Sequence, residues 1–261
     1  MDLCLRVTSP DGTEIAAYKY GTGEPLILIH GVCDDHLSFR RVLPHLGGRF
    51  CAYVADRRGR GASGDGPEYD FRREVEDVIA LAEAAAAETG AQTGIFAHSF
   101  GALLAGEAAQ ATDAIGRMLL FEPAPPTNDT LVGDLFAKTR AGDADGIIRT
   151  LLCGLQRNPT EVFERLRADP DRWPRYARLS PSIARELNAA LHYNYDVAAL
   201  SSRRIPTRFL LGGISGAVMG RYTETAMAAI KGADKVVMEG QAHGAMLTGG
   251  KQVSAEINDF F

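Results

Sequence analysis

Four segments whose side chains could do chemistry each follow a short apolar run. They are His30-Gly31 after LILI, Ser99 after GIFAH, Glu122 after RMLLF and His243 a few residues after KVVM. A serine hydroxyl becomes an effective nucleophile when a base takes its proton and hydrogen-bond donors receive the oxyanion. Imidazole and carboxylate groups can supply such a base and orient it. The alternative for Ser99 is a plain helix cap, a position that serine favours.

Strand patterns alternate with helical patterns along the chain, which predicts an α/β fold with a mainly parallel sheet covered on both faces. An N-terminal hairpin is also predicted, because two strand patterns flank the turn residues Pro10-Asp11-Gly12. Ligands of open α/β sheets bind beyond the carboxyl ends of the strands. The four segments are therefore expected to meet at one rim of the sheet.

A long stretch between Glu122 and Thr207 carries helical patterns and no clear strand pattern. A structureless loop of this length is improbable. We therefore predict a core made of residues 1–122 and 207–261 and an inserted helical cap over residues 123–206. The alternative is a set of extra helices packed on the flank of the core.

The segment Ala97-His98-Ser99-Phe100-Gly101 resembles the nucleophile elbow G-x-S-x-G of the α/β-hydrolase fold superfamily, in its serine-nucleophile branch, with Ala97 in place of the first glycine. The loop after the strand pattern FCAYVA resembles the family's D-x-R-G-x-G-x-S loop, with Asp56, Gly59, Gly61 and Ser63 in matching positions. The resemblance implies a mostly parallel sheet of eight strands with helices on both faces.

The same resemblance implies roles for single residues. Ser99 would be the nucleophile, His243 in the loop after the last strand would be the base, and the amides of Val32 and Phe100 would bind the oxyanion. His30 would hold its turn through hydrogen bonds. His98 comes directly before the nucleophile, and its side chain is expected to point away from it.

The position of the carboxylate that would orient His243 departs from the family's commonest pattern. The usual carboxylate position after the strand TRFLLG is occupied by Ser215, which cannot stabilise an imidazolium by charge. Parts of the family use the end of the preceding strand, where this chain has Glu122. Glu122 is therefore predicted as the acid of a Ser-His-Glu triad. Two alternatives stay open: Glu122 could be a solvated loop residue, or water and Ser215 could replace the acid.

These features predict a serine hydrolase that cleaves an ester, thioester or related carbonyl compound of small to medium size. Alternatives are other chemistry on the same fold, such as a C–C hydrolase, lyase, perhydrolase or biosynthetic cyclase, and a non-catalytic ligand-binding protein. His36, Trp173 and Tyr193 are predicted to contact substrate. A solvated face is expected for the arginines of the cap: Arg165, Arg167, Arg172, Arg175 and Arg178.

The composition of the chain limits the kinds of binding partner that we expect. The chain has 261 residues and a formal charge of −5, without a dense basic cluster, which argues against nucleic-acid binding. Its four cysteines show no metal-ligand spacing, so neither a metal nor a cofactor is expected. No apolar run approaches the roughly 20 residues that span a bilayer, and no signal peptide is visible. We expect a cytoplasmic monomer or homodimer that binds a small-molecule substrate and no membrane.

Overall fold

A computed structural model describes residues 2–195 and 203–261, and the strands of this part of the chain form one eight-stranded sheet. The strands are β1 (Asp2–Thr8), β2 (Glu14–Tyr20), β3 (Glu24–Ile29), β4 (Phe50–Asp56), β5 (Thr93–His98), β6 (Ile115–Phe121), β7 (Thr207–Gly212) and β8 (Asp234–Met238). Their order is β1-β2-β4-β3-β5-β6-β7-β8. Strands β3 to β8 run parallel to one another, whereas β2 is antiparallel to both β1 and β4. The predicted α/β class and mostly parallel sheet are confirmed.

The N-terminal hairpin forms where the turn residues predict it. Gly12 adopts a φ of 86°, which L-residues rarely adopt, and the Asp11 carboxylate accepts a hydrogen bond from the amide of Thr13 at 3.0 Å. The hairpin adds an antiparallel edge to the sheet beyond β4. It leaves the carboxyl ends of β3, β5, β6, β7 and β8 to form one rim.

Helices cover both faces of the sheet. They are α1 (Phe71–Thr89), α2 (Phe100–Ala111), α3 (Asp129–Arg140), α4 (Ala144–Arg149), α5 (Thr160–Arg167), α6 (Trp173–Leu179), α7 (Ser182–Leu191), α8 (Ala217–Ala229), α9 (Ala245–Thr248) and α10 (Gly250–Phe260). A π-helical segment, Thr150–Leu155, follows α4, and short 3-10 turns lie at His36–Phe39 and Leu43–His45.

The central strands are buried on both faces, which explains their continuous apolar runs. In β3, Ile27 and Ile29 pack in a cluster with α1 and α2, whereas Leu26 and Leu28 pack on the opposite face with α10. All four side chains are fully buried. Burial of each contributes about 1.5–3 kcal/mol, so the strand that leads to His30 is held firmly from both sides.

Helices α3 to α7 lie between β6 and β7 in the chain, within the predicted insertion 123–206, of which residues 196–202 lie outside the described residues. Helices α3, α4, α6 and α7 share an apolar cluster that includes Leu135, Ile147 and Ile183 and also takes in Cys33 of the core. Phe163 and Leu166 of α5 form a smaller cluster with Ile148 of α4. We propose that α3 to α7 form a cap over the strand ends, and "the cap" refers to these helices below.

None of the helices in the described part of the chain has the length and apolar character needed to cross a membrane.

Candidate active site

Ser99 lies in a strained turn between β5 and α2. Its φ of 56° and ψ of −118° are unusual for a residue with a side chain, and the hydroxyl makes no capping hydrogen bond to the helix. The tight turn requires a small residue two positions later: a Cβ on Gly101 would lie 2.7 Å from the carbonyl oxygens of Ile29 and His30. The chain therefore presents the Ser99 side chain at the rim, as an elbow does, and the capping alternative is not what the structure shows.

A chain of two hydrogen bonds joins Ser99, His243 and Glu122. The Ser99 hydroxyl lies 3.1 Å from Nε2 of His243, and Nδ1 of His243 lies 2.7 Å from Oε2 of Glu122. The carboxylate accepts only, so Nδ1 carries the proton and Nε2 is free to accept from the hydroxyl. This arrangement can withdraw the hydroxyl proton as the oxygen attacks a carbonyl.

Glu122 is fully buried, and both of its carboxylate oxygens have partners. Oε1 accepts a hydrogen bond from the amide of Gly212 at 2.7 Å, while Oε2 faces His243. Burial of a carboxylate is costly unless it is partnered in this way. The hydroxyl of Ser215, in contrast, is buried without a partner among the described residues. The structure thus places Glu122, and not Ser215 or solvent, against the imidazole.

The loop that carries His243 is fastened to the end of β7. Amides of Gly213 and Ile214 donate to the carbonyls of Met238 and Gln241 at 2.9 and 3.0 Å. A Cβ on Gly212 would lie 2.6 Å from the Gln241 carbonyl, so this close approach requires glycine. The end of β7 therefore positions both the acid, through the Gly212 amide, and the loop of the imidazole.

Backbone strain concentrates around these side chains. In the described residues, non-glycine residues with positive φ are Cys33, Ser99, Glu122 and Arg157, at 55°, 56°, 43° and 59°. The first three lie at the ends of neighbouring strands β3, β5 and β6. Strained backbone of this kind costs on the order of 1–3 kcal/mol per residue and clusters at functional sites.

Val32 and Phe100 lie on the two sides of Ser99. Val32 lines the same cavity as Ser99, and Phe100 is the first residue of α2. No hydrogen bond from either amide is found within residues 2–195 and 203–261. Both donors therefore remain available for an oxygen atom bound beside Ser99.

Residues 26–256 match the alpha/beta hydrolase family. The chain belongs to this family. The predicted superfamily, and the prediction of an α/β-hydrolase enzyme, are therefore confirmed.

Individual proteins that resemble this chain in sequence or in fold agree with its membership of the family. A segment of 106 residues, 40% of the chain, is 35% identical to N-formylmaleamate deformylase of Pseudomonas putida and spans 38% of that protein. An alpha/beta hydrolase from Sphaerobacter thermophilus superposes with a TM-score of 0.82 and 28% identity over 98% of this chain and 100% of its own. A thermophilic esterase from Thermogutta terrifontis, 20% identical, has the same fold, with a TM-score of 0.77 over 98% of this chain and 96% of its own.

Ser99 and His243 open into a cavity of about 390 Å³ between the core and the cap of this hydrolase. Its core wall consists of Val32, Cys33, Asp34, Ser38, His98, Ser99, Ile214, Ala242, His243, Gly244, Met246, Leu247 and Thr248. Its cap wall consists of Leu151, Leu152, Gln156, Asn158, Val162, Arg165, Leu166, Arg172 and Tyr176. A cavity of this size suits a small molecule.

His98 lies on the core wall, and its ring centroid is 4.5 Å from that of His243. The expectation that it would point away from the site is thus not met. Both of its ring nitrogens are buried without a hydrogen-bond partner among the described residues. Burial is the largest cause that holds the pKa of His98 well below its usual value, followed by repulsion from His243. His98 therefore packs beside the His243 imidazole as a neutral ring.

The structure does not bring the three predicted substrate contacts to this cavity. The His36 ring stacks on Tyr18 and lies 2.8 Å from Asp56 through Nδ1. Trp173 packs edge-on against Phe163 in the cap. Tyr193 packs on Phe71 and donates its hydroxyl to Glu107. None of the three residues is among those that line the cavity, and substrate contact by them stays a prediction.

Arg175 was expected to be solvated, and the structure shows that this is wrong. Its side chain is 11% exposed and pairs with Asp34 at 2.7 Å and Asp35 at 2.6 Å. Asp35 also accepts a hydrogen bond from the amide of Leu37 and so caps the short turn after β3. Arg175 therefore ties α6 of the cap to the loop that contains Val32.

Arg57 was not among the predicted site residues, because the Arg57-Arg58-Gly59-Arg60 patch is typical of a loop or a solvated face. The structure buries Arg57 to 3% exposure beneath the site. It forms ion pairs with Glu74 of α1 at 2.5 Å and with Glu186 of α7 at 2.9 Å. The signal in the sequence was an acidic residue in each of two helical patterns, Glu74 and Glu186, and Glu186 is far from Arg57 in the sequence.

Proposed function

We propose that this chain is a serine hydrolase that cleaves esters, thioesters or related carbonyl compounds through an acyl-enzyme on Ser99. The observation that carries the proposal is the continuous hydrogen-bonded chain from Ser99 through His243 to Glu122, at the rim of a cavity closed by the cap. Fold membership alone would not specify this chemistry, because one fold hosts many functions. The proposal therefore depends on the site.

In the first half-reaction, the Ser99 oxygen attacks the substrate carbonyl carbon while its proton passes to Nε2 of His243. The C=O double bond opens and its electron pair moves to the oxygen, which the amides of Val32 and Phe100 bind. Glu122 holds the imidazole in the required orientation and stabilises its positive charge. When the tetrahedral intermediate collapses, His243 gives the proton to the leaving group, and an acyl ester on Ser99 remains.

In the second half-reaction, water attacks the acyl carbon and gives its proton to Nε2 of His243. The same two amides bind the oxyanion, and the proton then returns to the Ser99 oxygen as the carboxylic acid leaves. His243 thus acts as base and acid in turn. Because Nδ1 stays bonded to Glu122 throughout, the ring need not reorient between the steps.

The cavity supports the proposed substrate class. Its size suits an acyl group of small to medium length, and its cap wall supplies apolar side chains such as Leu151, Leu152 and Leu166. The name of the Pseudomonas putida relative, N-formylmaleamate deformylase, adds N-formyl compounds to the carbonyl substrates that deserve testing.

A fluorophosphonate probe tests the proposal directly. The reagent should form one covalent adduct, located on Ser99 by peptide mass spectrometry, and the adduct should be absent from Ser99→Ala. Nitrophenyl esters of increasing acyl length should be hydrolysed by the unlabelled protein and not by the labelled one. A folded protein that neither reacts with the probe nor turns over any ester would overturn the proposal and favour a ligand-binding role.

Other chemistry on the same triad gives different products. A C–C hydrolase would cleave dicarbonyl compounds faster than nitrophenyl esters of equal size, and a lyase would release products without consuming water. Product analysis in ¹⁸O-labelled water separates hydrolysis from a lyase reaction, since hydrolysis places one labelled oxygen in the acid product. The relative rates on dicarbonyl compounds and nitrophenyl esters separate a C–C hydrolase from an esterase.

A further inference from the structure

The peptide unit between Gly31 and Val32 holds the donor that the proposed function needs. The Gly31 carbonyl and the Val32 N–H belong to the same planar group, and the described residues contain no cis peptide bond. In a trans peptide the C=O and N–H point in opposite directions. Any group that fixes the Gly31 oxygen therefore also fixes the direction of the Val32 N–H.

Two side chains fix that oxygen. Nδ1 of His30 lies 2.9 Å from it, and a terminal nitrogen of the Arg57 guanidinium donates to it at 3.0 Å. The backbone amide of Arg57 donates to Nε2 of His30 at 3.2 Å, so the His30 proton must reside on Nδ1. Arg57 thus acts twice, once through its side chain and once by setting the histidine tautomer.

The guanidinium itself is rigidly held. Glu74 accepts from it through both carboxylate oxygens, at 2.7 and 2.5 Å, in a bidentate pair. Glu186 lies 2.9 Å from the same nitrogen that donates to Gly31. The guanidinium also lies over the Phe100 ring, 4.5 Å from its centroid. Arg57 therefore contacts the Phe100 side chain and, through the Gly31 oxygen, the peptide group that carries the Val32 amide.

The charges of this cluster balance. Arg57 and Arg60 contribute two positive charges, and Glu74 and Glu186 contribute two negative ones. The side chains of Arg57, Glu74 and Glu186 are 2%, 1% and 0% exposed. A balanced cluster exerts little net field on a substrate, so its effect on the reaction must come mainly from the geometry that it imposes.

We propose that Arg57 is a positioning residue that aims the Val32 N–H at the oxyanion, and that Glu186 of α7 makes this aim depend on the seating of the cap. The inference rests on the proposed function. Arg57 does not touch the reacting atoms. Its removal should weaken binding of the tetrahedral state more than binding of the substrate, because only the former carries the oxyanion.

The test compares two adjacent buried arginines. Arg57→Gln/Glu74→Gln removes both charges of one pair at similar volume, which avoids an unpaired buried charge. The matched control is Arg58→Gln/Asp77→Asn. Arg58 is equally buried and pairs with Asp77 at 2.7 and 2.8 Å, but its contacts lead away from the site. Thermal unfolding of both double variants measures the structural cost that they share.

Two measurements separate an effect on the direction of the Val32 N–H from an effect on the stability of the folded protein. One is kcat and KM for nitrophenyl acetate. The other is the inhibition constant of phenylboronic acid, whose boron bonds to the serine oxygen and forms a tetrahedral anion in the oxyanion site. For Arg57→Gln/Glu74→Gln we expect kcat to fall about 10- to 100-fold, less than the loss of a whole oxyanion donor. Boronate affinity should fall in parallel, and KM should change by less than about threefold.

The control should keep kcat and boronate affinity within about twofold. Equal losses in the two double variants would overturn the inference, as would an unchanged kcat and boronate affinity in a folded Arg57→Gln/Glu74→Gln. If that variant fails to fold, Arg57→Lys decides on the same readouts, since it keeps the buried charge but loses the planar fork. A wild-type protein inert to both ester and fluorophosphonate would overturn the proposed function and the inference with it.

Discussion

Ser99 and His243 on the core wall of the cavity, and Glu122, which is hydrogen-bonded to His243, are 4%, 8% and 0% exposed, and each polar atom of their side chains has a partner. On the cap wall, the side chain of Arg172 is 39% exposed, and its nearest carboxylate, that of Asp169, is 4.0 Å away. Arg165 is exposed and forms no ion pair with any residue that the structure describes. The three core side chains are buried and held at strand ends, whereas the two cap arginines are exposed or partly exposed.

Because of this difference, we expect the core side chains to set the reaction rate and the cap side chains to set substrate preference. Buried, fully bonded groups keep the geometry that a reaction step requires and lose no energy to reorganisation. Open side chains on helices can contact different substrates without disturbing that geometry. Substitutions of Ser99, Glu122 or His243 should therefore change kcat for every substrate, whereas substitutions of the exposed cap-wall residues should change the preference between substrates.

Ser99→Ala should have the largest effect. Removal of the attacking oxygen should lower kcat about 10⁴- to 10⁶-fold for every ester tested, with KM little changed, measured by nitrophenol release at saturating substrate. Ser215→Ala removes a hydroxyl that has no partner near the same rim, and it serves as the control with near-normal turnover. Comparable losses in both variants would mean that the rim as a whole, and not the Ser99 oxygen, was disturbed.

Glu122→Gln should come next, with kcat lowered about 10²- to 10⁴-fold. A glutamine amide can keep the bond from the Gly212 amide or accept the proton of His243, but it cannot do both and also stabilise an imidazolium. The stability of the variant should be checked by urea unfolding. Turnover within about threefold of wild type would remove Glu122 from the triad and revive the idea of a dyad assisted by water.

His98→Asn tests how dry the core wall is. An unfolded histidine takes up a proton near pH 6.5, whereas burial lowers the pKa of folded His98. Below pH 6.5 the unfolded state therefore binds more protons, so this residue makes the protein less stable as the pH falls toward the folded pKa. The wild type should lose up to about 1.4 kcal/mol per pH unit more than the variant between pH 6.5 and 5.5.

Urea unfolding at several pH values measures that difference in slope. Replacement of the exposed His45 by asparagine is the control, because its ring is in water in both states. Parallel curves for wild type and His98→Asn would show that His98 becomes charged in the folded protein and that water reaches this part of the core wall.

The cap arginines should have the smallest effect, confined to selectivity. Arg165→Gln and Arg172→Gln should each lower kcat/KM for mono-nitrophenyl glutarate about three- to fivefold relative to nitrophenyl valerate, a neutral ester with the same carbon chain. Exposed charges are screened, so the effect should shrink at high salt. Arg167→Gln is the control: Arg167 is also on α5 but pairs with Asp145 at 2.7 Å, outside the cavity. An equal change in all three variants would deny the cap wall a selective role.

The difference between the core wall and the cap wall also explains which residues could be predicted from the sequence. Ser99, Glu122 and His243 follow apolar strands, and parallel strands bring their carboxyl ends to one rim, so strand patterns were enough to bring them together. Helical periodicity separates buried from exposed positions, but it does not tell which buried surface a residue meets. Trp173 was therefore assigned to substrate, although it packs within the cap.

Electrostatic partners were hidden for another reason. Arg175 and Asp34 are 141 positions apart, so their pairing depends on how α6 lies over the loop after β3, which no local pattern encodes. Arg57 and Glu186 present the same difficulty. An arginine patch can be solvated or buried, and only the distant carboxylates determine which.

The position of Glu122 on β6 has a consequence for the neighbouring strand. The turn after β7, residues 213–216, supplies backbone bonds to the histidine loop but no carboxylate, and at its tip Ile214 is 70% exposed at the mouth of the cavity. The proposed mechanism therefore uses none of the side chains of this turn. An engineer who wished to reshape access for larger acyl groups would begin with Ile214, where a new side chain alters the entrance and leaves the proton path intact.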